Sequence, residues 1–163
     1  MAVRVNFSPH AVLGREAVRT KMSATMIQLG VDDCCNDAGL RSRISQTAKA
    51  PHTRIYVVME DGLEVAFLAL DQIPYVDYLV LYEIFVRTDC RGKGLGSRLL
   101  GEVESLAKAL GYEKITLSPR PLEQGHSEEE LIAWYKIHGY AERPNCPTEL
   151  EKSIDPSGIR SRP

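Results

Sequence analysis

Between residues 54 and 86 the hydrophobic positions crowd into three runs separated by turn signals. Residues 54–59 are rich in β-branched and aromatic side chains (Ile55, Tyr56, Val57, Val58) and predict a strand. Glu60-Asp61-Gly62 follows, and Asp-Gly is a hairpin signal. Residues 63–73 predict the returning strand, Pro74-Tyr75-Val76-Asp77 a connection, and residues 78–86 a third strand, apolar throughout except at Glu83. The three form an antiparallel meander. Past Gly94 the spacing turns helical: Leu95, Leu99, Leu100, Val103, Leu106, Ala107 and Leu110 share one face, and Gly111 is the stop.

The remaining segments read more simply. Residues 3–7 alternate apolar and polar and predict a short first strand. Ser8 before Pro9 is an N-cap with proline at the first helical position. Val12, Ala17, Met22, Met26 and Leu29 then predict a helix over 11–29, closed by Gly30. A second helix is expected over 38–49, carrying Leu40 and Ile44 and ended by Ala50-Pro51. After the long helix, residues 114–117 form a short strand stopped by Pro119 and Pro121. Ser127-Glu128-Glu129-Glu130 opens a further helix with the pattern of a capping box. That helix carries Leu131, Ile132, Trp134, Tyr135 and Ile137 and stops at Gly139. Short strands are expected at 140–143 and 149–152, with a polar, disordered end over 156–163. The order is β-α-α-β-β-β-α-β-α-β: an α+β chain with a mixed central sheet, one domain over 1–155, and neither repeat nor linker.

Composition narrows the function classes. A chain of 163 residues with 44% hydrophobic positions can bury a core without metal or disulfide. A formal net charge of −2 argues against a nucleic-acid partner held by bulk positive charge. No apolar run approaches the roughly 18–20 residues that span a bilayer. The first six residues lack the apolar core of a secretory signal, so a cytoplasmic location is the expectation, with no membrane partner. Cys34, Cys35, Cys90 and Cys146 contain no C-x-x-C pair, and His10, His52, His126 and His138 show no ligand spacing. No metal is expected, and the thiols are read as reduced.

The segment Arg91-Gly92-Lys93-Gly94-Leu95-Gly96 joins the third strand of the meander to the long helix. Glycines let a backbone approach a ligand closely, and the free N–H groups and dipole of a helix start favour an anion. Arg91 and Lys93 add positive charge. A Walker loop is excluded because Lys93 is followed by Gly94 rather than Ser or Thr. A dinucleotide fingerprint needs a parallel strand-helix-strand unit with an acid ending its second strand, whereas Leu117 is followed by Ser118-Pro119. At this level the segment reads either as an anion site or as a tight strand-to-helix turn.

In context, Val86 followed by Arg91-Gly92-Lys93-Gly94-Leu95-Gly96 resembles the acetyl-CoA signature of the GNAT superfamily of N-acetyltransferases. Ala133-Trp134-Tyr135-Lys136-Ile137-His138-Gly139-Tyr140 is similar to that family's second landmark, a helix ending in Tyr-x-x-x-Gly-Phe. The resemblance is best over 54–140 and implies a three-layer α/β/α arrangement. It implies acetyl-CoA as co-substrate and transfer to a primary amine, of a small molecule or a protein, by direct attack in a ternary complex. The backbone of Ile84, Phe85 and Val86 would pair with the pantetheine arm. Arg91, Gly92, Lys93, Gly94, Leu95 and Gly96 would take the pyrophosphate, and Tyr135 would protonate the departing thiolate. Homodimers are common in this fold. Many relatives carry an acid at the position of Tyr82. Here Glu83 is the only acid of the third strand and hence the candidate base, although on a regular strand it faces the other way unless a bulge intervenes. Two alternatives stay open: a water chain in place of Glu83, and a non-catalytic acyl-CoA-binding or regulatory domain of the same fold.

Overall fold

Eight strands form one sheet in the computed structural model, which describes residues 4–5, 24–47, 49–121 and 127–154. In chain order they are β1 (Arg4–Val5), β2 (Thr25–Gln28), β3 (Thr53–Glu60), β4 (Leu63–Asp71), β5 (Tyr78–Val86), β6 (Lys114–Leu117), β7 (Ala141–Arg143) and β8 (Cys146–Ser153). Their spatial order is β1-β2-β3-β4-β5-β6-β8-β7. The described helices are α1 (Ala38–Gln46), α2 (Leu95–Ala109) and α3 (Glu128–Ile137). The expected meander is β3-β4-β5, all antiparallel. Its first turn has positive φ at both Asp61 (48°) and Gly62 (79°), the backbone that matches the twist of a two-residue hairpin. β5 and β6 are the parallel pair, joined by the α2 crossover and held over Tyr78↔Lys114, Leu79↔Ile115 and Val80↔Thr116.

Strand alternation sends apolar side chains to both faces, and helices cover both. On one face Leu95, Leu99, Leu100 and Val103 of α2 pack against Leu68, Leu70, Leu79, Leu81 and Ile115. On the other, Leu40 and Ile44 of α1 pack against Val57, Phe67 and Ala69. The result is the three-layer α+β arrangement.

The expected helix over 11–29 needs correction at its C-terminal end. Residues 25–28 are β2, paired with β1 on one side and with β3 on the other. Met26, read above as a helical core position, is 3% exposed and sits opposite Val58. Two strand partners satisfy the backbone there, so sheet pairing wins over weak helical spacing. The rest of that expected helix, residues 11–23, the Ser8-Pro9 start and the 156–163 end lie outside the described residues. The second helix stops at Gln46 rather than Lys49, because Thr47 is extended (ψ 126°). β4 stops at Asp71 rather than Ile73, and the last strand lengthens to Cys146–Ser153.

A single carboxylate sets the start of α1. Glu64 accepts from Asn36 N (3.0 Å), Cys35 Sγ (2.9 Å) and Asp37 N, and Asp37 Oδ1 in turn caps Leu40 N (2.8 Å). Burial pulls the Glu64 carboxyl upward, but the donors from Asn36, Cys35 and Asp37 outweigh it and hold it below its ordinary value. A depressed folded-state pKa adds stability above the unfolded value of about 4.3, and that stability disappears as pH falls through the lower folded value. Glu64→Gln is therefore expected to lower stability at pH 7, with the gap to wild type closing as pH drops below about 4.3. Urea titrations at a series of pH values read this directly, and a gap independent of pH would rule out the ionised carboxylate as its source.

Candidate active site

The site is built where β5 leaves β6. The β4–β5 register runs Ala69↔Glu83 and then Leu70↔Leu81, so Tyr82 is the extra residue of a β-bulge. A bulge reverses the alternation beyond it. Leu79 and Leu81 face α2, and past the bulge Ile84 and Val86 pack on that same side. Glu83 and Phe85 turn instead towards α1, where Phe85 stacks on Phe67 with centroids 5.7 Å apart. Tyr82 itself is exposed.

β5 pairs with β6 only as far as Val80. Beyond that rung the two strands splay, and a cleft of about 450 Å³ opens between them. Residues 81–86 form one wall, Ser118, Arg120 and Pro121 the other, and Leu131, Trp134 and Tyr135 of α3 complete it. The free edge of β5 thus offers backbone donors and acceptors to the cleft, as an edge strand does to an added strand.

One end of the cleft is the glycine segment. Gly92 (φ 72°) and Gly94 (φ 76°) hold backbone that side chains disfavour, and a Cβ at either would meet nothing within 4 Å. The segment is therefore open on its outer side. Gly94 is the N-cap of α2 and provides no side-chain cap, which leaves the first N–H groups of a 15-residue helix for an anion. Gly96 has a different reason: a Cβ there would meet the Trp134 ring at 3.4 Å, so it permits α2 and α3 to approach. The Arg91 Nε donates to Val86 O (2.8 Å), and its guanidinium lies 5.3 Å from the centre of the Phe85 ring. Lys93 differs from its neighbours, because it is not part of the cleft lining and its Nζ donates back to Asp89 O (3.1 Å).

Tyr135 lies 5% exposed on α3, with edge-on ring contacts to Trp134 (4.9 Å) and Tyr140 (5.5 Å). Ser127 starts that helix with a complete capping box to Glu130, as its sequence pattern predicts. Burial pushes the Tyr135 hydroxyl up to about 12, so it keeps its proton at neutral pH. Glu83 is 5% exposed at the cleft wall. Arg43 Nε of α1 donates to its Oε1 at 2.6 Å and Thr47 Oγ1 to its Oε2 at 3.0 Å. These two partners were not legible in the sequence, since 40 and 36 residues separate them from Glu83. Ser118 also lines the cleft, without a sequence signal that marked it as site rather than loop.

Among the described residues, no group of three or more His, Cys, Asp or Glu gathers to hold a metal ion. No helix among them is long and apolar enough to cross a membrane.

A sequence model of the acetyltransferase (GNAT) domain matches residues 51–142. No curated protein sequence matches the chain. Among solved structures, the chain is similar to a GNAT family acetyltransferase from Elizabethkingia anophelis with acetyl-CoA bound, at 16% identity and TM-score 0.58, covering 80% of this chain and 98% of that one. It is similar to an IAA acetyltransferase from Bacillus cereus at 15% identity and TM-score 0.59, covering 81% and 100%. It is similar to the ribosomal-protein-S18-alanine N-acetyltransferase of Escherichia coli at 18% identity and TM-score 0.56, covering 81% and 94%. At these identities the likeness is one of fold.

Proposed function

The chain belongs to the GNAT acetyltransferases, and from that premise we propose that it moves an acetyl group from acetyl-CoA to a primary amine by direct attack in a ternary complex. The observation that carries this is the cleft: a strand edge left open between β5 and β6, ending on glycines 92 and 94 at an uncapped helix start. Those features fit coenzyme A part by part. The backbone of Ile84, Phe85 and Val86 holds the pantetheine amides as an added strand would be held. Gly92, Gly94, Leu95 and Gly96, with Arg91 behind them, cradle the pyrophosphate. Lys93 contributes positive charge at longer range.

Acetyl-CoA supplies an acetyl group activated as a thioester. An N–H on the free edge of β5 is placed to stabilise charge developing on the carbonyl oxygen. Tyr135, protonated at neutral pH, donates its proton to the departing sulfur. The burial that makes Tyr135 a weak acid also raises the proton affinity of a thiolate beside it, so the transfer keeps its driving force. An alkyl ammonium has a pKa of about 10.4 and must lose a proton before it attacks. Glu83 accepts that proton, with Arg43 and Thr47 holding its carboxylate still.

Coenzyme A release across a panel of amines, with mass spectrometry of the products, tests the transfer. Tight acetyl-CoA binding without release for any amine would instead favour a non-catalytic acyl-CoA-binding domain. For the base, Glu83→Gln is expected to lower kcat/KM by about 10²-fold at pH 7, with the loss shrinking as pH rises towards the amine pKa near 10. A pH–rate profile that keeps its wild-type shape would assign the proton to a water chain and leave Glu83 as a structural ion pair.

A further inference from the structure

A second, smaller recess adjoins the cleft. It has a volume of about 120 Å³ and is lined by Tyr78, Val80, Thr116, Arg143 and Glu149, among others. Ser118 lines both cavities, which places the recess next to the splay point. The residues named here on β5, β6 and β8 alternate with ones buried under α2: Leu79 and Leu81 on β5, Ile115 and Leu117 on β6, Leu150 on β8. The recess therefore lies on the α1 side of the sheet, where Glu83 also points.

The recess already holds a cation of the protein's own. Arg143 Nη1 lies 2.6 Å from Glu149 Oε2, Arg143 Nε lies 3.8 Å from Glu151 Oε2, and the guanidinium sits 4.6 Å from the centre of the Tyr78 ring. Two carboxylates against one guanidinium leave a unit of negative charge. Thr116 faces the same space from the Val80–Thr116 rung. It is 2% exposed, and among the described residues its hydroxyl has no hydrogen-bond partner. Its hydroxyl opens onto the recess, where it can accept from a ligand. An anion brought to Arg143 would have to compete with two carboxylates already in place. A cation meets a net negative site, an aromatic face and a free hydroxyl oxygen.

We propose that this recess receives a positively charged group of the acceptor, so that the acceptor is an amine carrying a second cation one short alkyl spacer from the nitrogen that reacts. The assignment rests on the acetyl-transfer reading above. Ser118, which also lines the cleft, stands just past the end of β6 and two residues beyond Thr116, ~7 Å of extended chain, which is the span of a short diamine or a lysine side chain. Arg143 acts as an internal competitor that the incoming cation displaces from Glu149.

The test compares kcat/KM for cadaverine with that for pentylamine, which differ only in the second ammonium. The expected preference for the diamine is at least about tenfold. Glu149→Gln should lower that ratio, and Arg143→Gln, which removes the competitor, should raise it. Opposite shifts from two partners of one ion pair do not arise from general structural damage. Unchanged acetyl-CoA affinity serves as the folding control, and Glu151→Gln reads the same effect if Glu149→Gln fails that control. Equal use of the two amines, or a ratio that both variants move the same way, would overturn the proposal. If no amine is acetylated, calorimetry with cadaverine on the coenzyme A-saturated protein separates the two readings. Binding weakened by Glu149→Gln upholds the recess and overturns transfer, whereas no binding overturns both.

Discussion

Tyr135→Phe lowers turnover by about 10²–10⁴-fold while acetyl-CoA binds as before. The phenyl ring keeps the shape that packs edge-on against Trp134 and Tyr140, so α3 and the cleft wall stay in place. What is lost is one hydroxyl, whose proton burial retains up to a pH of about 12. In the proposed mechanism that proton meets the sulfur as it leaves. In the variant the thiolate must depart as an anion into a poorly hydrated wall, and the cost falls on the transition state rather than on binding. Single-turnover rates and calorimetry together distinguish this from damage to the site. Turnover within a few fold of wild type would remove Tyr135 from the chemistry and leave it as a core residue.

Gly94→Asp abolishes acetyl-CoA binding without unfolding the chain. Gly94 has φ 76° and lies at the N-cap of α2. Aspartate tolerates this left-handed backbone better than most residues, at a cost of roughly 1–2 kcal/mol or less, and it is a favoured N-cap. The helix should therefore form. Its side chain would enter the space that is open beyond Gly94, placing a carboxylate where the proposed cradle would hold the diphosphate. Crowding and like charge act together there. Gly94→Ala adds the crowding alone and should retain measurable affinity. The check is calorimetry beside a thermal melt: wild-type protein at about 100 times the dissociation constant gains about 2.7 kcal/mol of stability from the ligand, and Gly94→Asp should gain none. Binding retained by Gly94→Asp would place the diphosphate elsewhere.

The features that could be read from the sequence are those written in consecutive residues. Asp61-Gly62 announces its own hairpin, the Leu95-to-Ala107 spacing its own helix face, and Ser127 with Glu130 its own cap. The glycine segment and the Trp134-to-Tyr140 landmark are equally local. Where partners are distant, the signal fades. Met26 has helical spacing to Met22 and Leu29, yet its place is decided by Val58, 32 residues away. The bulge at Tyr82 leaves no trace in composition, because it is the register against β4 that creates it. So the side of the sheet that Glu83 takes, and its pairing with Arg43 and Thr47, follow from strand registry and a helix docked across the sheet. The Arg143 recess is harder still, since β5, β6, β7 and β8 each contribute to it.

The narrow join between β5 and β6 also bears on the order in which the molecule assembles. β2 and β3 through β5 are antiparallel neighbours, with β3, β4 and β5 linked by short turns, so much of that half closes through small loops. The parallel join must wait for the chain to travel out through α2 and return, and only three residue pairs reward it when it does. β8 and β7 in turn depend on β6 for their place. The cleft lies on that seam, so it is expected to form late in folding, after the meander is complete.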